Sequence, residues 1–309
     1  MKKLIIHAGT HKTATTSFQQ VCFDNREQLT KLGISYPLLN FYPNDPTLCQ
    51  TLNRRAVKPE QVPQHSYLAR WISKGNFSDV STFLENALKS ANLHSCDTTL
   101  ISGEDFESSL VDTSIAIKFK NLALQTGFDE VLFTITKRPA KEYFHSLYNQ
   151  LASQAIPCNP FTLYETINSH GYASFSSVHG IFHYAFDLFR LAREFEHETH
   201  IDCRIEDYYD FLEVYPGYKL LKSISANGSE EQIRNLNTGN SKLNSSLDKS
   251  DIEFLHACAY LSLQPNTRTL NDNAHLLKAI IQRRKEVFIY TTKLVEENFK
   301  RFDQDQNNL

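Results

Sequence analysis

Along the first two thirds of the chain, short apolar runs end in polar loops, and each is followed by apolar residues at helical spacing. This alternation constrains the fold more than any other feature. Leu4-Ile5-Ile6 closes on His7-Ala8-Gly9, and after a polar loop the apolar residues return as Phe18, Val21, Cys22, Leu29 and Leu32. Val80, Phe83, Leu84, Ala87, Leu88 and Ala91 give a helix that leads into the strand Thr98-Thr99-Leu100-Ile101-Ser102, which closes on Gly103-Glu104-Asp105. A helix near Ile115–Leu124 precedes the strand from Val131 to Thr136, which Lys137-Arg138-Pro139 closes. Tyr143, Phe144, Leu147, Tyr148 and Leu151 then form the apolar face of the next helix. A long helix around Ile181–Phe195 leads to a further strand, His200–Ile205. Strands separated by helices need right-handed crossovers, so the expected fold is α/β, with a central mostly parallel sheet flanked by helices.

Beyond about residue 215 the pattern is helical, with helices near Asp248–Leu263 and Asp272–Phe302 and a polar Asn/Ser/Gly stretch from Ser225 to Ser246 that reads as a lid or linker. The expectation is one domain over 1–309, with an α/β core over about 1–215 and a helical extension over about 216–303. The stretch from Leu38 to His65 contains Pro43, Pro46, Pro59 and Pro63 and reads as a surface loop that shapes a cleft.

Lys and Arg (32) nearly balance Asp and Glu (35), which argues against a dedicated nucleic-acid or anionic-membrane partner. The balance leaves room for one local basic pocket. Six scattered cysteines lack the spacing of a zinc site or a disulfide frame, and no apolar run approaches the length of a membrane span. A cytoplasmic protein with reduced thiols is expected, without metal, and its oligomeric state is open.

The loop Gly9-Thr10-His11-Lys12-Thr13-Ala14-Thr15-Thr16-Ser17 joins the first strand to the first helix. A helix start offers unpaired N–H groups and partial positive charge, Lys12 adds a full charge, and the threonines and Ser17 add hydroxyl donors. Phosphate or sulfate is the natural guest. A Walker A loop needs Gly directly before its Lys and again six positions before it, where this chain has His11 and Ile6. The segment instead resembles the 5′-phosphosulfate loop of the PAPS-dependent sulfotransferases (bacterial and glycan-type branch), G-x-x-K-[ST]-G-T-T, with Ala14 standing at the family's second Gly. Thr136-Lys137-Arg138-Pro139, followed eight residues after Arg138 by Ser146, resembles the family's 3′-phosphate signature. Arg supplies a rigid fork for a phosphate and Ser a directed hydroxyl. Weaker echoes in Leu32–Pro37 and Ile201–Tyr208 extend the similarity over about residues 2–210.

The resemblance implies a P-loop-kinase-like three-layer core and transfer of a sulfuryl group from PAPS to a hydroxyl or amine, most naturally of a carbohydrate or glycoconjugate, with PAP as product. It implies that Gly9, Thr10, His11, Lys12, Thr13, Ala14, Thr15, Thr16 and Ser17 bind the 5′-phosphosulfate, and that Arg138 and Ser146 bind the 3′-phosphate. Lys12 would stabilise the leaving oxygen. The acceptor must lose a proton, for which Glu104 at a strand end is the first candidate and His11 and His7 are alternatives. The ordinary readings are capping threonines, a helix N-terminal Glu104 and a core His7. The rival functions are a Mg-dependent nucleotide kinase or NTPase and a non-catalytic nucleotide-binding protein with a decayed sulfotransferase fold.

Overall fold

A computed structural model describes residues 1–11, 13–39, 65–177, 180–226, 229–238, 249–261 and 274–305. The strands are β1 (Lys3–Gly9), β2 (Ile34–Ser35), β3 (Thr98–Ser102), β4 (Glu130–Lys137), β5 (Tyr172–Ser177), β6 (Gly180–Ala185) and β7 (Cys203–Asp207). The helices are α1 (Thr15–Asp24), α2 (Arg26–Lys31), α3 (Ser66–Ser73), α4 (Phe77–Leu93), α5 (Thr113–Thr126), α6 (Ala140–Ser153) and α7 (Pro160–His170). They continue as α8 (Leu188–Thr199), α9 (Tyr208–Phe211), α10 (Tyr218–Ile224), α11 (Glu230–Arg234), α12 (Lys249–Tyr260) and α13 (Ala274–Asn298). Contacts group the chain into two compact units, one formed by 1–137, 176–182 and 191–243, the other by 138–175, 183–190 and 244–309.

The first unit holds a five-stranded sheet in the order β2-β3-β1-β4-β7, with every neighbouring pair parallel. Side chains alternate across it, as a pleated strand requires. Ile5, Leu100 and Leu132 point to one face and pack with Phe18, Val21 and Cys22 of α1, Leu29 of α2 and Phe211, Tyr218 and Leu221 of α9 and α10. Phe133 points to the opposite face, against Phe195 of α8, where α4 and α5 also lie on β3 and β4. Both faces are therefore covered, and the strands read as nearly continuous apolar runs for that reason. The second unit is helical: Phe299 packs on Phe144, Tyr164 and Phe186, and α12 packs on α13 through Ala257, Cys258 and Leu277.

The α/β expectation holds, with one error of period. No helix starts at Ile181; Tyr172–Ser177 and Gly180–Ala185 form a two-stranded sheet, and α8 begins only at Leu188. Phe182, Tyr184 and Phe186 also alternate at period two, and aromatic residues after a glycine favour the strand. Pro139 is the N-cap of α6, at φ −51° and ψ 130°. The polar stretch after Ser225 contains the short helix α11, started by a capping box of Ser229 and Gln232. Residues 239–248 and most of the proline-rich loop, 40–64, lie outside the described residues. The five described cysteines are buried free thiols, and no described helix is long and apolar enough to cross a membrane.

Candidate functional site

From β1 the chain runs to β2 on one side of the sheet, and from β4 it runs to β7 on the other. The two connections diverge, so the carboxyl ends of β1 and β4 mark the switch point of the strand order, the place where open α/β sheets bind ligands. The loop that follows Gly9 occupies that place. Thr10 is tied across it to β4, with its amide donating to Thr136 O at 3.4 Å and its hydroxyl donating to the same oxygen at 3.0 Å. The Thr13 hydroxyl turns inward to Thr10 O and lies 3.4 Å from that of Thr15. Three of the predicted hydroxyls, Thr10, Thr13 and Thr15, are buried in holding the loop's shape, while Thr16 and Ser17 are half-buried on the first turn of α1. Lys12 lies outside the described residues.

Two backbone positions explain the tight turn. A Cβ on Gly9 would collide with Thr15 Oγ1 and stand 2.8 Å from Thr13 Oγ1, so only glycine lets the loop fold back over the strand end. Ala14, the N-cap of α1, has φ 61° and ψ 21°, the left-handed conformation, and no side chain caps the helix. No Ala14 side-chain cap competes at the start of α1, and such a helix start is the kind of place where anions bind. A left-handed alanine costs about 1–2 kcal/mol, partly offset by the greater freedom glycine has when unfolded. Ala14→Gly is accordingly expected to stabilise the protein by about 0.5–1 kcal/mol in chemical denaturation. A loss of stability of that size would mean that Ala14 does not need the left-handed region.

The charged surroundings come from the short 3₁₀ helix Glu104–Leu110, which follows β3. Glu107, 0% exposed, accepts from the His11 amide at 3.0 Å and from its Nδ1 at 2.7 Å. Asp105 Oδ1 stands 3.9 Å from His11 Nε2, and its other oxygen pairs with Arg70 Nε. Burial alone would lower the His11 pKa; the charge of Glu104, the hydrogen bond and charge of Glu107 and the charge of Asp105 outweigh it and hold the ring at about 9. His11 is therefore an imidazolium at neutral pH, a fixed positive charge in the loop rather than a free base. His7 beneath it is the reverse case. Fully buried, it links Ser102 Oγ at 2.9 Å and Thr136 Oγ1 at 3.0 Å, stacks on Phe211, and is pushed by desolvation down to about 3. It is a neutral core histidine. Glu104 is half-buried at the head of the 3₁₀ helix and close enough to act on both His11 and Arg70.

Gly9–Ser17, apart from Lys12, and Glu104 thus belong to one cluster in the first unit. Arg138 and Ser146 belong to the second unit. Arg138 follows the last residue of β4 and pairs with Glu142 at 3.2 Å, and Glu142 and Ser146 are one helical turn apart on α6. Sequence reasoning placed Asp105 at a strand end without giving it a role, and missed Arg70 and Glu107. Asp105 and Glu107 carried one available signal, since carboxylates directly after a strand end sit where ligands bind. No family model, no curated protein and no solved structure matches the chain.

Proposed function

We propose that the chain is a sulfotransferase with a P-loop-kinase-like core that moves a sulfuryl group from PAPS to a hydroxyl or amine of a carbohydrate or glycoconjugate. The observation that carries this reading is Ala14: it adopts the left-handed conformation at the position where the resembled loop has glycine. The loop's place at the divergence of β1 and β4 supports it further.

In this reading the start of α1, with Thr16 and Ser17, holds the 5′-phosphosulfate and Lys12 offsets its charge, while the charge of His11 is already met by Glu107 and Asp105. Arg138 and Ser146 keep the 3′-phosphate role that the resemblance gives them. The acceptor oxygen or nitrogen attacks sulfur in line, the bond from sulfur to the bridging oxygen of PAPS breaks, and PAP leaves with that electron pair. Glu104 takes the acceptor's proton, because His11 already carries one. Lys12 meets the charge that develops on the bridging oxygen.

Thermal unfolding with PAP, PAPS, ATP and ATP with Mg²⁺ tests the assignment. PAP and PAPS at about a hundred times their Kd are expected to add about 2.7 kcal/mol of stability. Lys12→Ala is expected to lower ³⁵S transfer to a glycan pool by about 10²-fold or more. Stabilisation by ATP with Mg²⁺ and none by PAP would sink the reading.

A further inference from the structure

Helix α3 carries a side chain that the nucleotide chemistry above leaves unused. Leu68, Ala69 and Ile72 bury one face of the helix, and Tyr67 and Arg70, three residues apart, share its flank. The start of α3 is pinned to the end of β3. A Cβ on Gly103 would stand 2.6 Å from the Ser66 amide, and His65 Nδ1 accepts from the Ser102 amide at 3.0 Å. Arg70 therefore stands on a fixed support beside the loop.

Its guanidinium is held on several sides. Nε pairs with Asp105, which is itself buried, and Cζ lies over the ring of Tyr67 at 5.1 Å and that of Phe182 at 5.3 Å. The two terminal nitrogens have no partner among the described residues, and the side chain remains 27% exposed. An arginine whose task is only to neutralise a buried carboxylate commonly spends its fork on it, in two parallel bonds. Here the single Nε contact fixes the plane and leaves the paired terminal nitrogens for something else. Asp105 uses one oxygen for Arg70 and turns the other toward His11, which puts Arg70 one carboxylate away from the phosphate loop.

We infer that Arg70 is a receptor for an oxyanion of the acceptor, a carboxylate or an existing sulfate ester, so that the substrates are acidic glycans. The inference rests on the sulfotransferase reading for what happens after binding, but the binding itself needs no nucleotide. A guanidinium held flat by aromatic faces loses little freedom when it takes two oxygens, which favours a planar or tetrahedral oxyanion over a neutral hydroxyl.

The test is equilibrium binding to the full chain at low salt without nucleotide. One arm pairs a uronic-acid tetrasaccharide with its carboxyl-reduced counterpart, the other a sulfated neutral tetrasaccharide with its desulfated form. At least one acidic probe is expected to bind ten-fold or more tightly than its neutral partner, and the arm that responds identifies the oxyanion. Arg70→Lys keeps a cation for Asp105 but lacks the fork, and is expected to remove most of that preference while thermal unfolding stays within a few degrees. Arg70→Gln should remove all of it. No preference in either arm, or a preference that survives both substitutions, would overturn the inference. PAP stabilisation is read on the same samples. PAP binding without an Arg70-dependent preference refutes this inference alone, and the preference without PAP binding refutes the nucleotide reading alone.

Discussion

Glu107→Gln is expected to cost about 2 kcal/mol of stability below pH 6.5, with the deficit narrowing as the pH rises through 9. The His11 pKa is about 9 in the folded chain, against an ordinary value of 6.5. A histidine with a raised folded pKa contributes stability that is fully present below 6.5 and is lost as the pH climbs through 9. The side-chain carbonyl of the variant can still accept from the His11 amide, so the shape of the turn is kept while one of the three carboxylate charges that raise the His11 pKa is removed and those of Glu104 and Asp105 remain.

Other groups also titrate in this range. Burial pushes the Glu206 carboxyl up to about 7, and burial raises the thiols of Cys22 and Cys203, so absolute stability changes with pH for several reasons. The difference between wild type and variant cancels these contributions. Urea unfolding of both proteins at pH 6, 7.5 and 9.5 supplies it. A gap that does not change with pH would show that the 2.7 Å contact is not an ion pair.

What could be read in the sequence and what could not divide along physical lines. Strands β1, β3 and β4 were legible because each is buried on both faces, so each appears as a short apolar run bounded by polar residues. The loop after β1 could be read as a candidate anion site because its chemistry is local: hydroxyls, a lysine and a helix start within nine consecutive residues. Ala14 was ambiguous there, since a loop motif with alanine in place of glycine does not reveal its own φ. The backbone supplied that answer.

The cluster around the loop was not legible, because His11, Arg70, Asp105 and Glu107 come from three separate segments. The run Glu104–Glu107 looks like a solvated helix start, yet Glu107 is fully buried and serves the loop. Helix α3 was hidden between the proline-rich stretch and α4, and its eight residues are too few for a clear period. The hairpin β5–β6 was lost to an aromatic run that fits two periods over so short a span. Assembly over long sequence separation and brief elements account for these gaps.

His65→Gln tests the other half of the site's histidine chemistry, and its expected sign is opposite to that of Glu107→Gln. His65 Nδ1 accepts from the Ser102 amide, so the ring's proton is on Nε2, which donates to Pro37 O at 2.8 Å. A protonated ring would have to surrender the first of these bonds. Burial lowers the His65 pKa to about 4, despite the opposing pull of its backbone partners. A histidine whose folded pKa is lowered contributes stability that is present above 6.5 and is lost as the pH falls from 6.5 toward 4, here about 3 kcal/mol. Glutamine can accept and donate in the same two directions, but it does not titrate. It gives up the ring contacts with Tyr36 and Phe83, so the variant should be less stable at pH 7, by about 1–2 kcal/mol. On acidification wild type should lose about 3 kcal/mol more than the variant, so that the two stability curves cross between pH 6 and 4. Parallel curves in denaturant titrations over that range would mean that His65 does not hold β3 and α3 together as a neutral ring. The anchoring of Arg70 beside the loop would then need a different explanation.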